Sequence, residues 1–269
     1  IREAEVSIVE TSKRSNQRAP HPEPSLESPS KKQKLSDTPT RLPVDESRLK
    51  RLQEELELIV CVTKLNRRES VVVEIDTQKD KVTIVGDLHG SLVDLFQAIQ
   101  WYVTNNSGII IFNGDFMDRG KDNIAVLLTL CELKKRSANR VYLLRGNHET
   151  NISLQYINSG FKDFLNRYGE ENATVLTNFF QSLSYMALIN NSISVCHGCP
   201  NDTVNLSSLK DAPKVTEPWP NSVLHDLIWC DPKLQTRGRS ASTARGPDNQ
   251  LAVGKDLLQL FCESNRQEV

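Results

Sequence analysis

The 269-residue sequence has almost no excess of charge, a formal −1. That argues against a whole-surface electrostatic grip on nucleic acid or membrane and leaves only a local basic patch to provide one. It has no apolar run near the roughly 20 residues needed to span a bilayer. It has no apolar leader in its first stretch, which reads "TSKRSNQRAPHPEPSLESPS" where such a core would be required. Its six cysteines lie far apart, without the pattern of a disulfide framework. Together these absences point to an intracellular, reducing setting, cytoplasm or nucleus, with no membrane and no nucleic acid among the partners. There is no internal repeat. What the chain does have is 38% hydrophobic beside 25% charged residues, enough to bury a sizeable core.

Residues 1–44 hold six of the twelve prolines and much Ser, Glu and Lys. Such a segment buries too little to offset its ordering entropy, so we expect a disordered tail. Lys31 to Lys34, with Lys13 and Arg14 upstream, reads as a bipartite nuclear localisation signal or as a solvated basic stretch. Ser28-Pro29 and Thr38-Pro39 beside it read as proline-directed phosphorylation sites. From Asp45 to the end the pattern is that of one folded domain. A capping Asp or Ser precedes Leu49, Leu52, Leu56 and Leu58 to Val60 at helical spacing. Strands are expected at "SVVVEID", "KVTIVGD", "GIIIFNGD" and "RVYLLRGN", alternating with the helices "SLVDLFQAIQWYV" and "DNIAVLLTLCELKK". Two further helices, "LQYINSGFKDFLNRYG" and "TVLTNFFQSLSYMALI", precede a strand "SISVCHG", and residues 200–247 read as loop-rich. Alternation of strand and helix predicts an α/β sheet with parallel crossovers.

Four of these strands end alike. "IVGDLHG" supplies Asp87 and His89, "IFNGDFMDRG" supplies Asp115, Asp118 and Arg119, "LLRGNHE" supplies Arg145, Asn147 and His148, and "SVCHG" supplies His197. In open α/β sheets the loops at the carboxyl ends of strands converge into ligand sites, so these side chains are expected to meet. Neighbouring glycines at 86, 90, 114, 120, 146 and 198 permit the sharp turns this needs. Carboxylates, imidazoles and an amide oxygen suit zinc, manganese or iron. Two such ions about 3.5–4 Å apart, bridged by a carboxylate, form an arrangement that hydrolyses phosphate esters. Arg119 would then clamp the phosphoryl oxygens, and His148, oriented by Asp118, would protonate the leaving alkoxide. A lone Asp-x-His is more often a turn than a site, but three of the five histidines fall in these groups. His21 and His225 read as a tail residue and a helix residue. "CHGC" has redox-motif spacing without a second pair, so Cys196 and Cys199 read as packing or loop residues.

The series "GDLHG", "GDFMDRG", "LRGNHE" and "HG", followed by "LIWCDP" and "ARG", resembles the phosphoprotein phosphatase family of serine/threonine phosphatases, from about residue 46 onward. The resemblance implies an α/β fold of the calcineurin-like metallophosphoesterase kind, a β-sandwich flanked by helices, and a metal-dependent protein serine/threonine phosphatase with two divalent ions (manganese, or iron plus zinc). It implies that Asp87 and His89 bind the first metal, that Asp115 bridges and that Asn147 and His197 bind the second. It makes His148 the general acid supported by Asp118, and puts Arg119, Arg245 and Asn147 on the substrate phosphate; Arg245 comes from the resemblance alone. It implies phosphoprotein substrates and regulatory subunits as partners. Two departures stand out. The family's "HGGLSP" is "HGCPND" here, and the family's last strands, with a further metal-binding histidine, are expected beyond Val269. Two alternatives follow: a nucleotide-type metallophosphoesterase, against which Glu149 and "LIWCDP" speak, and a catalytically dead phosphatase-like binding protein.

Overall fold

The computed structural model describes residues 6–9, 45–150, 159–214, 217–220, 222–242 and 252–267. In chain order its elements are strand β1 (Val6–Val9), helix α1 (Glu46–Asn66), β2 (Val72–Ile75), β3 (Val82–Val85), α2 (Leu92–Thr104), β4 (Ile109–Phe112), α3 (Asn123–Arg136) and β5 (Val141–Leu143). There follow α4 (Ser159–Tyr168), α5 (Ala173–Ser182), β6 (Met186–Ile189), β7 (Ile193–Cys196), α6 (Leu206–Lys210) and α7 (Val223–Trp229). The last are β8 (Asp231–Lys233), β9 (Arg239–Ser240), β10 (Ala252–Gly254) and α8 (Lys255–Asn265). One sheet runs β1-β3-β4-β5, all parallel, and a second runs β2-β6-β7. In the second, β2 is parallel and β7 antiparallel to β6.

The layers follow from the period of two along each strand. Val82 and Ile84 of β3, with Ile109 and Ile111 of β4, point one way and meet Val73, Ile75, Ala187, Ile189 and Val195 of the second sheet. This is the interior of a sandwich. Val85, Ile110, Phe112, Val141 and Leu143 point the other way, into a cluster with residues of α1 to α5. Val72, Met186 and Leu188 line the far side of the second sheet, beneath Leu206, Leu227, Ile228 and Phe261. The expected α/β sandwich between helices is therefore the observed one. Truncating a side chain such as the fully buried Ile111 to alanine would cost about 2–5 kcal/mol.

Local signals explain the boundaries. Asp45 caps α1 by accepting from the Arg48 amide at 3.1 Å, and Ser91 caps α2. α1 buries only its later turns fully, while Leu52 and Leu56 pack partly buried against the same core. Leu58, Ile59 and Val62 are buried, whereas Leu49, expected in the same stripe, is 54% exposed.

Two expectations need correction. The tail is not structureless throughout, because Val6–Val9 pairs with β3 in register Val6 to Val82. Three of its four residues are β-branched and apolar, which suits an edge of that sheet. The rest of residues 1–44, including the basic stretch and the Ser-Pro and Thr-Pro pairs, lies outside the described residues. "TVLTNFFQSLSYMALI" is not one helix. α5 stops at Ser182, Leu183 is extended, and "MALI" is the central strand of the second sheet. Residues 200–247, expected to be rich in loops, hold the short elements α6, α7, β8 and β9 in their described part. Residues 154–158, expected as the first turns of a helix, lie outside the described residues. No helix among the described residues is long and apolar enough to cross a membrane.

Candidate metal and phosphate site

β3, β4 and β5 are parallel, so their carboxyl ends lie on one edge and their loops converge. The β4 loop is the hub. The Asp115 carbonyl accepts from the amides of Leu88 and His89 at 3.0 and 2.8 Å, and the Phe116 carbonyl accepts from Gly90. The Asp115 carboxylate accepts from the His148 amide at 3.0 Å. The loop after β7 joins through Asn113, whose Nδ2 donates to the Cys196 carbonyl at 3.1 Å and whose carbonyl faces His197 Nδ1 at 2.8 Å. Close packing of this kind demands glycine at one position above all. Gly114 has φ +84°, and a Cβ there would lie 2.4 Å from the Gly146 backbone nitrogen.

Four residues without glycine's freedom adopt positive φ here: His89 (44°), Asp115 (52°), Asp118 (73°) and Arg119 (65°). Such backbone costs on the order of 1 kcal/mol or more per residue and persists where surrounding structure enforces it. The strain aims side chains inward. His89 Nε2 lies 3.5 Å from Asp115 Oδ2 and 3.7 Å from Asp87 Oδ2. His197 Nε2 lies 3.4 Å from Asp115 Oδ1 and 3.0 Å from Asn147 Oδ1, and its Nδ1 is 3.8 Å from Asp87 Oδ1. Two trios have ligand atoms mutually within 4.8 Å, His89–Asp115–His148 and Asp87–Asp115–His197. Asp115 is shared by both, as a bridging carboxylate would be.

The donor chemistry fits cations. His89 Nδ1 faces the Met117 carbonyl at 3.1 Å, which only accepts, so Nδ1 carries the proton and Nε2 presents a lone pair. That Nε2 is buried and has no hydrogen-bond partner among the described residues. His197 repeats the device, with Nδ1 on the Asn113 carbonyl and Nε2 facing two oxygen acceptors. Imidazoles fixed through one nitrogen so that the other points at carboxylates form the usual outer support of a metal centre. Carboxylate, imidazole and amide oxygen suit borderline or hard divalent ions.

The polar side chains tune one another. Burial alone would lift the Asp115 carboxyl, but His197, His148 and His89 outweigh it and hold it below the usual carboxylate value. Burial pushes His89 below the ordinary histidine value, more than Asp115 restores. For His148 burial works in the same direction and loses, because Asp118, Asp115 and Glu149 favour the imidazolium and raise it. His148 Nδ1 is 2.7 Å from Asp118 Oδ2, and the other Asp118 oxygen accepts from the Gly160 amide at 2.9 Å. His148 Nε2 meets the Nη2 of the exposed Arg119 at 3.2 Å.

Of the strand-end residues expected to meet that fall in described segments, Asp87, His89, Asp115, Asp118, Arg119, Asn147, His148 and His197 lie together, whereas Arg145 turns away from them to the Glu149 carbonyl and the Tyr185 hydroxyl. Arg245 lies outside the described residues. His225 is in α7 as expected, stacked on Trp229 and away from this cluster. Cys196 and Cys199 are free, and burial pushes both thiols up to about 12, which leaves little reactive thiolate.

Three buried residues brace the loops instead of lining the site. Glu149 is fully buried, and its carboxylate accepts from three amides, those of Asp115 (2.8 Å), Phe116 (3.0 Å) and Gly146 (2.9 Å). Arg145, 1% exposed, donates to the Glu149 carbonyl at 3.0 Å and to the Tyr185 hydroxyl at 2.6 Å. Asn123 accepts from the Asp118 amide at 2.7 Å and donates to the Gly120 carbonyl and to Asp163. A charged residue inside the apolar run "VYLLR" was the one local signal of such a role.

Comparison with known proteins finds phosphatases of related sequence and fold. A family profile described as calcineurin-like phosphoesterase matches residues 80–265. Serine/threonine-protein phosphatase 5 of Homo sapiens is 31% identical over 214 residues, 78% of this chain and 42% of that protein. Serine/threonine-protein phosphatase T of Saccharomyces cerevisiae is 31% identical over 210 residues, 75% of this chain and 40% of that protein. The chain thus spans less than half the length of these curated relatives. A solved protein serine/threonine phosphatase from Saccharomyces cerevisiae, described as similar to human phosphatase PP5, superposes with a TM-score of 0.71 at 25% identity. The match covers 80% of this chain and 68% of that one.

Proposed function

The chain belongs to the calcineurin-like phosphoesterase family, on its phosphoprotein phosphatase branch, and from that membership we propose that it removes phosphate from phosphoserine and phosphothreonine in proteins. The observation that carries the reading is the His148 group. Its imidazole is oriented by a buried carboxylate at 2.7 Å and faces an exposed guanidinium at 3.2 Å, beside the carboxylate shared by both candidate metal trios.

In this reading Asp87, His89, Asp115, Asn147 and His197 hold two divalent ions, manganese or iron plus zinc. Such ions would supply positive charge for the phosphoryl oxygens and a water acidified to near neutral pH. Asp118 keeps the Nδ1 proton of His148 in place, so Nε2 is the atom that can carry a proton to the leaving serine or threonine oxygen. Arg119 can only donate, so its bond to Nε2 exists while that nitrogen is unprotonated. Protonation of His148 therefore releases the guanidinium to turn toward the phosphate, which it can grip with two parallel hydrogen bonds. Asn147 and Arg245 complete the phosphate contacts. Phosphoprotein substrates, regulatory subunits and a cytoplasmic or nuclear setting belong to the same proposal.

The test is hydrolysis of a phosphoserine peptide with manganese, compared with His148→Asn. Removing the general acid should lower kcat by about 10²–10⁴. Equal rates would refute the assignment.

A further inference from the structure

The loop after His197 departs from the pattern of the family it resembles, reading "HGCPND", and the structure gives that departure a partner. Asn201, fully buried, donates from Nδ2 to Asp226 Oδ2 at 2.8 Å. Its own Oδ1 accepts from the Thr203 amide and hydroxyl at 2.8 and 2.6 Å, so the amide is oriented and its donor end is committed to Asp226. The Gly198 amide donates to the Leu227 carbonyl at 2.6 Å, and a Cβ at Gly198 would meet the Asp226 carbonyl at 2.7 Å. The loop is thus fastened to α7 at two points, one residue and four residues after His197. Asp226 is itself fully buried, and the same Oδ2 also receives Arg239 Nη2 from β9. One carboxylate therefore ties three segments: α7, the His197 loop and the β9 strand.

We infer that Asp226 and Asn201 are positioning residues for His197, setting where its Nε2 points without touching metal or substrate. The inference rests on the reading of His197 as a metal ligand. The Asn113 carbonyl fixes the tilt of the ring at Nδ1, but a ring held at one atom still swings with its backbone. The α7 attachment removes that swing. The effect falls on one ion only, because His89 is anchored independently through the Met117 carbonyl. Outer supports of this kind typically change metal affinity by about 10–100-fold.

The experiment measures Mn2+ binding directly, by the electron paramagnetic resonance signal of free Mn2+, on the full chain without substrate. Asn201→Ala should weaken one of two bound ions by about 10–100-fold and leave the other near its wild-type affinity. Leu130→Ala, a core truncation far from the site, controls for general loosening and should leave the ratio of the two affinities unchanged. If Asn201→Ala binds both ions like the wild type, or weakens both equally, the positioning role is overturned. His197→Ala separates the two levels. If it loses one ion while Asn201→Ala loses none, the metal site stands and the inference falls; if it loses none, the ligand reading itself falls.

Discussion

Glu149 offers the sharpest test of how the strand-end loops are held, because reach and charge can be separated there. Its two oxygens accept three amide hydrogens, with Asp115 and Gly146 sharing Oε2 and Phe116 on Oε1. Glu149→Gln keeps the length. With its carbonyl oxygen at the Oε2 position it retains two bonds and sets an NH2 group against the Phe116 amide. That loses one bond and leaves a buried donor unsatisfied, together about 3 kcal/mol. Glu149→Asp keeps the charge but withdraws the carboxylate by about 1.5 Å, one C–C bond. Bonds of 2.8 to 3.0 Å then exceed hydrogen-bond range at all three amides, and relaxation recovers only part, leaving a loss of about 4–5 kcal/mol. At about 2–4 °C per kcal/mol for a domain of this size, the bond losses alone correspond to about 6–12 °C for Gln and more for Asp, and Gln recovers part of its loss because burial and Asp115 disfavour the charged carboxylate in the fold. The assay is thermal unfolding in EDTA at pH 8, above the value of about 7 to which burial and Asp115 push this carboxyl. Asp melting above Gln would mean that charge rather than reach holds the loops, and the argument would be wrong.

Two further outcomes are expected. Gly114→Ala puts a Cβ against the Gly146 backbone at a φ of +84°, so it should cost at least about 2 kcal/mol in thermal unfolding and weaken Mn2+ binding by separating the Asp115 and Asn147 loops. Lys214 donates to the Asn66 and Ser182 carbonyls, the last residues of α1 and α5, and burial lowers its amine from 10.5 to about 8, more than Glu69 restores, with Lys134 adding to the lowering. Between about pH 8 and 10.5 the unfolded chain therefore binds the extra proton, so stability from this group rises with pH, by at most about 3 kcal/mol. Urea unfolding of wild type against Lys214→Met should show the wild type gaining relative to the variant across that window. A parallel pH dependence of the two would refute the depressed amine.

The reacting side chains were legible because each sits in a short polar run directly after an apolar strand, where chain direction decides which edge it reaches. The supports were not, because their partners are distant in sequence. Glu149 and the Asp115 amide it accepts are 34 residues apart, and His197 and the Asn113 carbonyl 84. β6 was hidden for another reason. "SYMALI" continues the helical spacing of α5 without a Gly or Pro between them, and only its pairing with β2 on one side and β7 on the other makes it a strand. Val6–Val9 was hidden by the composition around it, which is that of a tail.

The hydrogen bonds of the site form a closed circuit, and this decides what can move. The β3 loop is fastened to the Asp115 carbonyl, the β5 loop to the Asp115 carboxylate and through Glu149 to the Asp115 and Phe116 amides, and the β7 loop through His197 and Cys196 to Asn113. Every loop is thus referred to the segment Asn113 to Phe116, whose carboxylate is also the one shared by both trios. A shift of that segment pulls on the β3, β5 and β7 loops together, although the β7 loop is also held by α7. A shift of any other loop changes the distance of its own ligand from the rest. The four strained backbones at His89, Asp115, Asp118 and Arg119 lie on the segments so tied. Strain of this size survives in a small cluster only if relaxing one residue would break bonds belonging to its neighbours, and the circuit supplies that condition.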